Sequence, residues 1–249
     1  MLATACHQHV HPTERPEAPV SVTTAHHSRT DAAPEEPFSA RLRRSTAERH
    51  STAEHSTFMT DLMGGNLDAR AYLRLLAQYR HIYAVLEEVA RSFREDPQPL
   101  TDPFILPGLD RVPAIEADLA VLGDLVGGQE DAVFAALPST AEYAARIRAT
   151  RTSPQRFLAH HYLRYLGDLS GGQAVAALMA RHYGLPSEAL SMYRFPDLPK
   201  PKVLKDGYRT LLDQADLSEE QRAELVEEAV MGFDLNARMF ADLQRAVAS

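Results

Sequence analysis

Cysteine is almost missing from this 249-residue chain: Cys6 is its single example. One thiol excludes an internal disulfide and any paired-cysteine metal site, and a reducing compartment fits. Long apolar runs are missing as well. No stretch approaches the roughly 18 residues that a bilayer-crossing helix needs, and the first residues lack the apolar core of a secretory signal. The chain reaches Ser249 without a hydrophobic anchor. The expectation is a cytoplasmic protein with no membrane anchor. Positive charge is in deficit, 26 Lys and Arg against 34 Asp and Glu, for a formal net charge of -8. With no basic stripe, nucleic acid is not an expected partner. There is no convincing β-alternation, no internal repeat, and no phosphate loop or dinucleotide fingerprint, so a bound flavin or nicotinamide is not expected.

What remains is helical periodicity from Phe38 onward. Ser39 is placed to cap a helix to about Ala53, and Asp68 a second, long one. The second carries Tyr72, Leu75, Leu76, Tyr79, Ile82, Tyr83, Leu86, Val89, Ala90 and Phe93 on one face at 3.6-residue spacing and stops before Pro97. Shorter helices are expected near 110–126 and 129–150, a long one from about Pro154 to Tyr183, and another near 202–214. Ser218 with Gln221 forms a capping box for a last helix over 219–247. The fold class is all-α, a single-domain array over residues 38–249. Residues 1–37 stand apart, with five prolines, five histidines (His7, His9, His11, His26, His27) and little apolar periodicity. They read as a disordered tail, a solvated extension or a weak binder of metal or heme.

The run Tyr165-Leu166-Gly167-Asp168-Leu169-Ser170-Gly171-Gly172-Gln173 puts three glycines inside a helix, each costing roughly 1 kcal/mol against alanine. Two explanations are open. Gly167 and Gly171 share a face and would allow close packing against another helix. Alternatively, a kink lets the backbone approach a ligand, with Asp168 aimed at it. Arg164 and Asp168 lie four residues apart, as an exposed ion pair or as a polar pair at a site.

Other polar groups stand out by position. His50 shares an i, i+4 series with Leu42, Thr46 and Glu54, and Glu54 could orient its ring as the partner that metal-bound histidines need on the second nitrogen. Most helical histidines are ordinary packed or surface residues. Tyr83 and Asn236 interrupt apolar faces, where an unpaired buried polar group costs about 1–3 kcal/mol. No histidine has a Glu three residues before it, so a di-iron carboxylate bundle is disfavoured.

The string His161-Tyr162-Leu163-Arg164-Tyr165-Leu166-Gly167-Asp168-Leu169-Ser170-Gly171-Gly172-Gln173 closely resembles the distal-helix motif of heme oxygenases. Leu42 to Glu54 resembles their proximal helix. The resemblance runs from about Phe38 to Arg245 and is densest over 42–63, 79–88 and 161–173. Without an anchor, the similarity is to the soluble, bacterial type. It implies a heme held between a proximal and a kinked distal helix, with His50 as the axial iron ligand and Glu54 beside it. Gly167 and Gly171 would let the distal backbone lie against the porphyrin, and Ser170 would sit between them. Asp168, with Arg164, Tyr83 and Asn236, would organise a water network that delivers protons on the oxygen side. Phe233 and Phe240 would form an apolar wall. Arg43, Lys205, Tyr208 and Arg209 match the propionate-binding segments, whereas Ala47 replaces a basic residue found in some members, which loosens the expected anchoring.

The implied reaction is O2- and electron-dependent cleavage of heme to biliverdin, Fe2+ and CO, in the service of iron acquisition. Heme would be substrate and cofactor together, and electrons would come from an external ferredoxin or flavoprotein reductase. A non-catalytic heme carrier or storage protein is the alternative.

Overall fold

A computed structural model of the chain describes residues 36–127 and 131–248. The expected tail over 1–37 therefore lies almost wholly outside the described residues. Every regular element among those described is helical.

The first three helices are α1 (Phe38–Glu54), α2 (Thr57–Gly64) and α3 (Ala69–Glu95). Ser39 does not cap α1. Pro37 holds the cap position, and Ser39 sits inside the first turn, its N–H and hydroxyl donating to the Asp213 carboxylate at 2.7 and 3.1 Å. Asp68 does cap α3, accepting from the Ala71 N–H at 3.0 Å. The expected stripe of α3 is buried along its length, and each large apolar side chain so buried contributes roughly 1.5–3 kcal/mol. Next come α4 (Val112–Val126), the single turn α5 (Asp131–Phe134) and α6 (Pro138–Ala149). The expected helix over 129–150 is thus broken, because Pro138 cannot continue a helix and starts a new one at its first position.

The long glycine-bearing helix is α7 (Pro154–His161) and α8 (Gly167–Tyr183), joined by a π-turn over Tyr162–Leu166. The irregularity therefore precedes the glycines, and Gly167 itself has ordinary helical angles, φ −60° and ψ −53°. A π-turn inserts a residue into the hydrogen-bond ladder and is an established cause of helix kinks. After a loop come α9 (Pro201–Gln214) and α10 (Glu219–Ala248). The expected box starts α10: Ser218 N–H donates to Gln221 Oε1 at 2.9 Å, and Gln221 N–H donates to Ser218 Oγ at 3.3 Å.

The 30-residue α10 organises the packing, touching α1, α2, α6, α7 and the π-turn. α1 packs on α10 and α9, and α8 packs on α2 and α9. These arrangements leave a slot between α1 and α8.

Candidate functional site

The slot is a cavity of about 380 Å³, within the roughly 300–1,000 Å³ typical of small-molecule sites. His50 and Glu54 line one wall, and Gly167, Asp168, Ser170 and Gly171 the other. Phe233, Asn236 and Phe240 reach it from α10.

The α1 wall is lightly held. His50 Nδ1 is 3.5 Å from Glu54 Oε2, and its ring meets the Phe233 ring edge-on at 5.6 Å between centroids. Its side chain is 57% exposed while lining the cavity, so the imidazole is open to a ligand rather than sealed in the core. With Glu54 beside Nδ1, Nε2 is the nitrogen available to a metal. Other histidines engage the protein itself. His55 Nδ1 lies 2.8 Å from the Ser51 carbonyl, and His81 Nε2 2.7 Å from that of Phe134. His160 Nε2 pairs with Glu228 at 2.9 Å, and His161 Nδ1 with Tyr208 Oη at 3.0 Å. Both of those rings are buried.

The opposite wall is a buried polar cluster drawn from four elements. Tyr83 on α3 donates to Asp168 Oδ2. Arg164, in the π-turn, donates from Nε to Tyr83 Oη at 3.3 Å and from Nη1 to Asn236 Oδ1 on α10 at 3.1 Å. All four are buried. Arg164 and Asp168 are therefore no exposed pair: the Tyr83 hydroxyl links them. Burial pushes the Asp168 carboxyl above its ordinary value, and the Arg164 charge and the Tyr83 hydrogen bond oppose that rise. Burial likewise raises Tyr83, which keeps it a donor.

The three glycines divide between the two explanations. A Cβ on Gly167 or Gly171 would meet nothing within 4 Å, whereas one on Gly172 would fall 2.6 Å from the Tyr193 ring. Packing thus requires Gly172. The other two keep bare backbone along space that no atom of the described residues fills, which suits a flat ligand.

Two of the expected cations are engaged by protein side chains. Lys205 Nζ donates to Ser170 Oγ at 3.2 Å, and Arg209 Nη1 to Asp206 Oδ1 at 2.9 Å. The charges of Arg209 and Arg43 both reach Tyr162, where they oppose the rise caused by burial. None of the three lines the cavity, and neither does Tyr208, which is buried with its ring against Phe104 and its hydroxyl on His161. Sequence reasoning overlooked Tyr79 as a site residue. It lines the cavity, and the Arg164 guanidinium lies 4.3 Å from its ring centroid. Its position one turn before Tyr83 on the same face is the signal that could have found it. Met59 and Met63, on the overlooked α2, also line the cavity.

Among the described residues the fold is all-α, and one cavity joins an accessible imidazole on α1, glycine-bared backbone on α8 and a buried acid beside it. The chain matches the family model described as heme oxygenase over residues 36–242, and it belongs to that family of heme-degrading enzymes. It is 34% identical to a heme oxygenase of Rhodella violacea over 204 residues, 81% of this chain and 85% of that protein. Against human heme oxygenase 1 it is 33% identical over 218 residues, 86% of this chain and 74% of that one. Among solved structures it resembles heme oxygenase-1 of the cyanobacterium Synechocystis sp. PCC6803 in complex with heme, with a TM-score of 0.77 and 27% identity over 86% of this chain and 95% of that one. The heme oxygenase of Leptospira interrogans gives a TM-score of 0.73 and 32% identity over 83% and 99%. Among the described residues, no helix is long and apolar enough to cross a membrane.

Proposed function

We propose that this protein binds heme in the slot between α1 and α8 and, with O2 and electrons from a separate ferredoxin or flavoprotein reductase, cleaves it to biliverdin, Fe2+ and CO, making iron available. The observation that carries the reading is that one cavity holds an accessible imidazole on one wall and, on the other, a buried carboxyl in a hydrogen-bonded cluster. Heme, when bound, supplies both the iron that activates O2 and the ring that is opened.

The chain's own residues do the rest. His50 ligates the iron through Nε2, and Glu54 orients its ring. Gly167 and Gly171 leave room for the macrocycle. Arg43, Lys205 and Arg209 pair with the propionates and so fix how the ring is turned, each exposed pair contributing little energy, roughly 0–1 kcal/mol. Phe233 and Phe240 exclude water from the apolar side. Asp168 holds and passes protons at its carboxyl oxygens through waters in the cavity, while Tyr83, Arg164 and Asn236 fix that carboxyl in place. Tyr208 serves from behind, packing α9 against the end of α7 through His161.

A carrier needs the imidazole and the slot but has no use for a buried acid kept ready beside them. The test is hemin titration followed by reductant in air. The wild-type protein should form a stoichiometric Soret complex and then lose it to bilin. Asp168→Ala should form the same complex but lose bilin formation, by about 10²–10⁴-fold for a general acid–base role. Recovery of intact heme from the wild type would establish a carrier instead.

A further inference from the structure

Arg164 is a buried guanidinium that lacks a carboxylate. Among the described residues it forms no ion pair within 4.0 Å, although Asp168 stands one turn along the same helix. What faces it is aromatic. Its guanidinium carbon lies 4.3 Å from the Tyr79 ring centroid and 5.0 Å from that of Tyr83. The two rings, one turn apart on α3, are 6.4 Å apart at 76°. A guanidinium over an aromatic face is held by the ring's quadrupole, more strongly where water is excluded. Stacked flat, it keeps its N–H edge free, and here that edge serves Tyr83 and Asn236.

We infer that Tyr79 is a positioning residue: its aromatic face holds Arg164 against Tyr83 and Asn236 and keeps it from closing an ion pair with Asp168. The inference rests on the reading of Asp168 as the group that handles protons above the ligand. Without that ring, Arg164 keeps only the more distant Tyr83 face and its two hydrogen bonds against the pull of the Asp168 charge. Closing the pair would stabilise the charged form of Asp168, displace the Tyr83 hydroxyl and weaken the carboxyl's hold on a proton. Plain core packing makes a different prediction, because any apolar side chain of similar size would then serve.

The test is carbon-13 NMR titration of the Asp168 carboxyl in the ligand-free full-length protein, with the signal assigned by its loss in Asp168→Asn. Tyr79→Phe keeps the ring and should titrate as the wild type does. Tyr79→Leu should bind the Asp168 proton at least about tenfold more weakly, and the Arg164 Nε–H resonance should lose the part of its ring-current shift that Tyr79 supplies. Should the Leu variant be too unstable, Tyr79→Met fills similar volume without a ring and poses the same question. An unchanged titration in the Leu or Met variant overturns the inference. So does a Phe variant that falls as far as Leu, since the hydroxyl would then be the active part. Both measurements are made without heme. If hemin is bound but never cleaved, the proposed function fails while the titrations still decide what Tyr79 does.

Discussion

The two walls of the cavity are built differently. On the α1 side, His50 and Glu54 are 57% and 64% exposed and stand 3.5 Å apart. Among the described residues nothing else polar fixes the imidazole, so its geometry is left loose. On the α8 side, three elements converge on Asp168 through Tyr83, Arg164 and Asn236, all buried. That wall is finished before any ligand arrives. Its side chains were desolvated when the protein folded, so little reorganisation remains at the moment of reaction. Behind it lies a second buried group. Glu228 takes Arg146 at 2.6 Å and His160 at 2.9 Å. Burial alone would raise its carboxyl, but those two partners hold it at about 2. A soft ligand wall facing a rigid acid wall suggests that each can be damaged separately.

The largest effect should come from the soft wall. His50→Ala should abolish turnover and the axial-imidazole spectrum, with partial recovery in added imidazole. The ligand-free protein should lose no more than about 0.5 kcal/mol, because the side chain is exposed and alanine is a good helix former. Visible spectra and chemical denaturation of the same variant check both halves. A large loss of stability would show that the α1 wall is as built-in as its counterpart.

The glycines sharpen the contrast within a single helix. Gly167→Ala or Gly171→Ala meets no protein atom and should stabilise the ligand-free protein by up to about 1 kcal/mol, while weakening hemin binding tenfold or more. Gly172→Ala drives a methyl group against Tyr193 and should destabilise by about 1–3 kcal/mol. Melting curves and hemin titrations of the three variants should therefore order them oppositely. A destabilised Gly167→Ala would refute the division drawn between ligand space and packing space.

Which parts of this were legible in the sequence follows from how local their causes are. The stripe of α3, the Asp68 cap and the Ser218–Gln221 box depend on neighbours within a turn or two, and they stand as expected. Tyr83 and Asn236 announced themselves as polar residues on apolar faces. Ser39 was misread because its partner, Asp213, lies far along the chain. The π-turn escaped notice because nothing in Tyr162-Leu163-Arg164-Tyr165-Leu166 breaks an α-helix locally, and the contacts that accompany it come from α10. Gly172 and Tyr193 are a pair only in three dimensions, and Tyr79 looked like one more core aromatic until Arg164 was found over it. Tyr208 was read as a ligand contact from its neighbours Lys205 and Arg209, yet one residue's rotation on α9 turns it into the core.

The last test asks how far the core behind the finished wall depends on charge, and it is read from pH. His161 opens the π-turn's N-terminal side, packed against Tyr165 and Tyr208. Burial, aided by the Arg94 charge, lowers its pKa from 6.5 to about 3. At pH 7 the ring is neutral both folded and unfolded, so its contribution is fully present. As pH falls through 6.5 the unfolded chain takes up a proton that the folded one refuses, and stability drains until about pH 3, by up to about 1.4 kcal/mol per pH unit. Asp168, Glu87 and Asp118, whose carboxyls are raised by burial, work in the opposite sense, and Glu228 adds its own loss below about 4.5. The comparison to make is therefore wild type against His161→Phe between pH 7 and pH 5, by denaturant unfolding. The variant orphans the Tyr208 hydroxyl at every pH, a constant cost of about 1–3 kcal/mol that shifts the curve without tilting it. Its slope should be flatter than that of the wild type, and parallel curves would mean that His161 is protonated inside the fold.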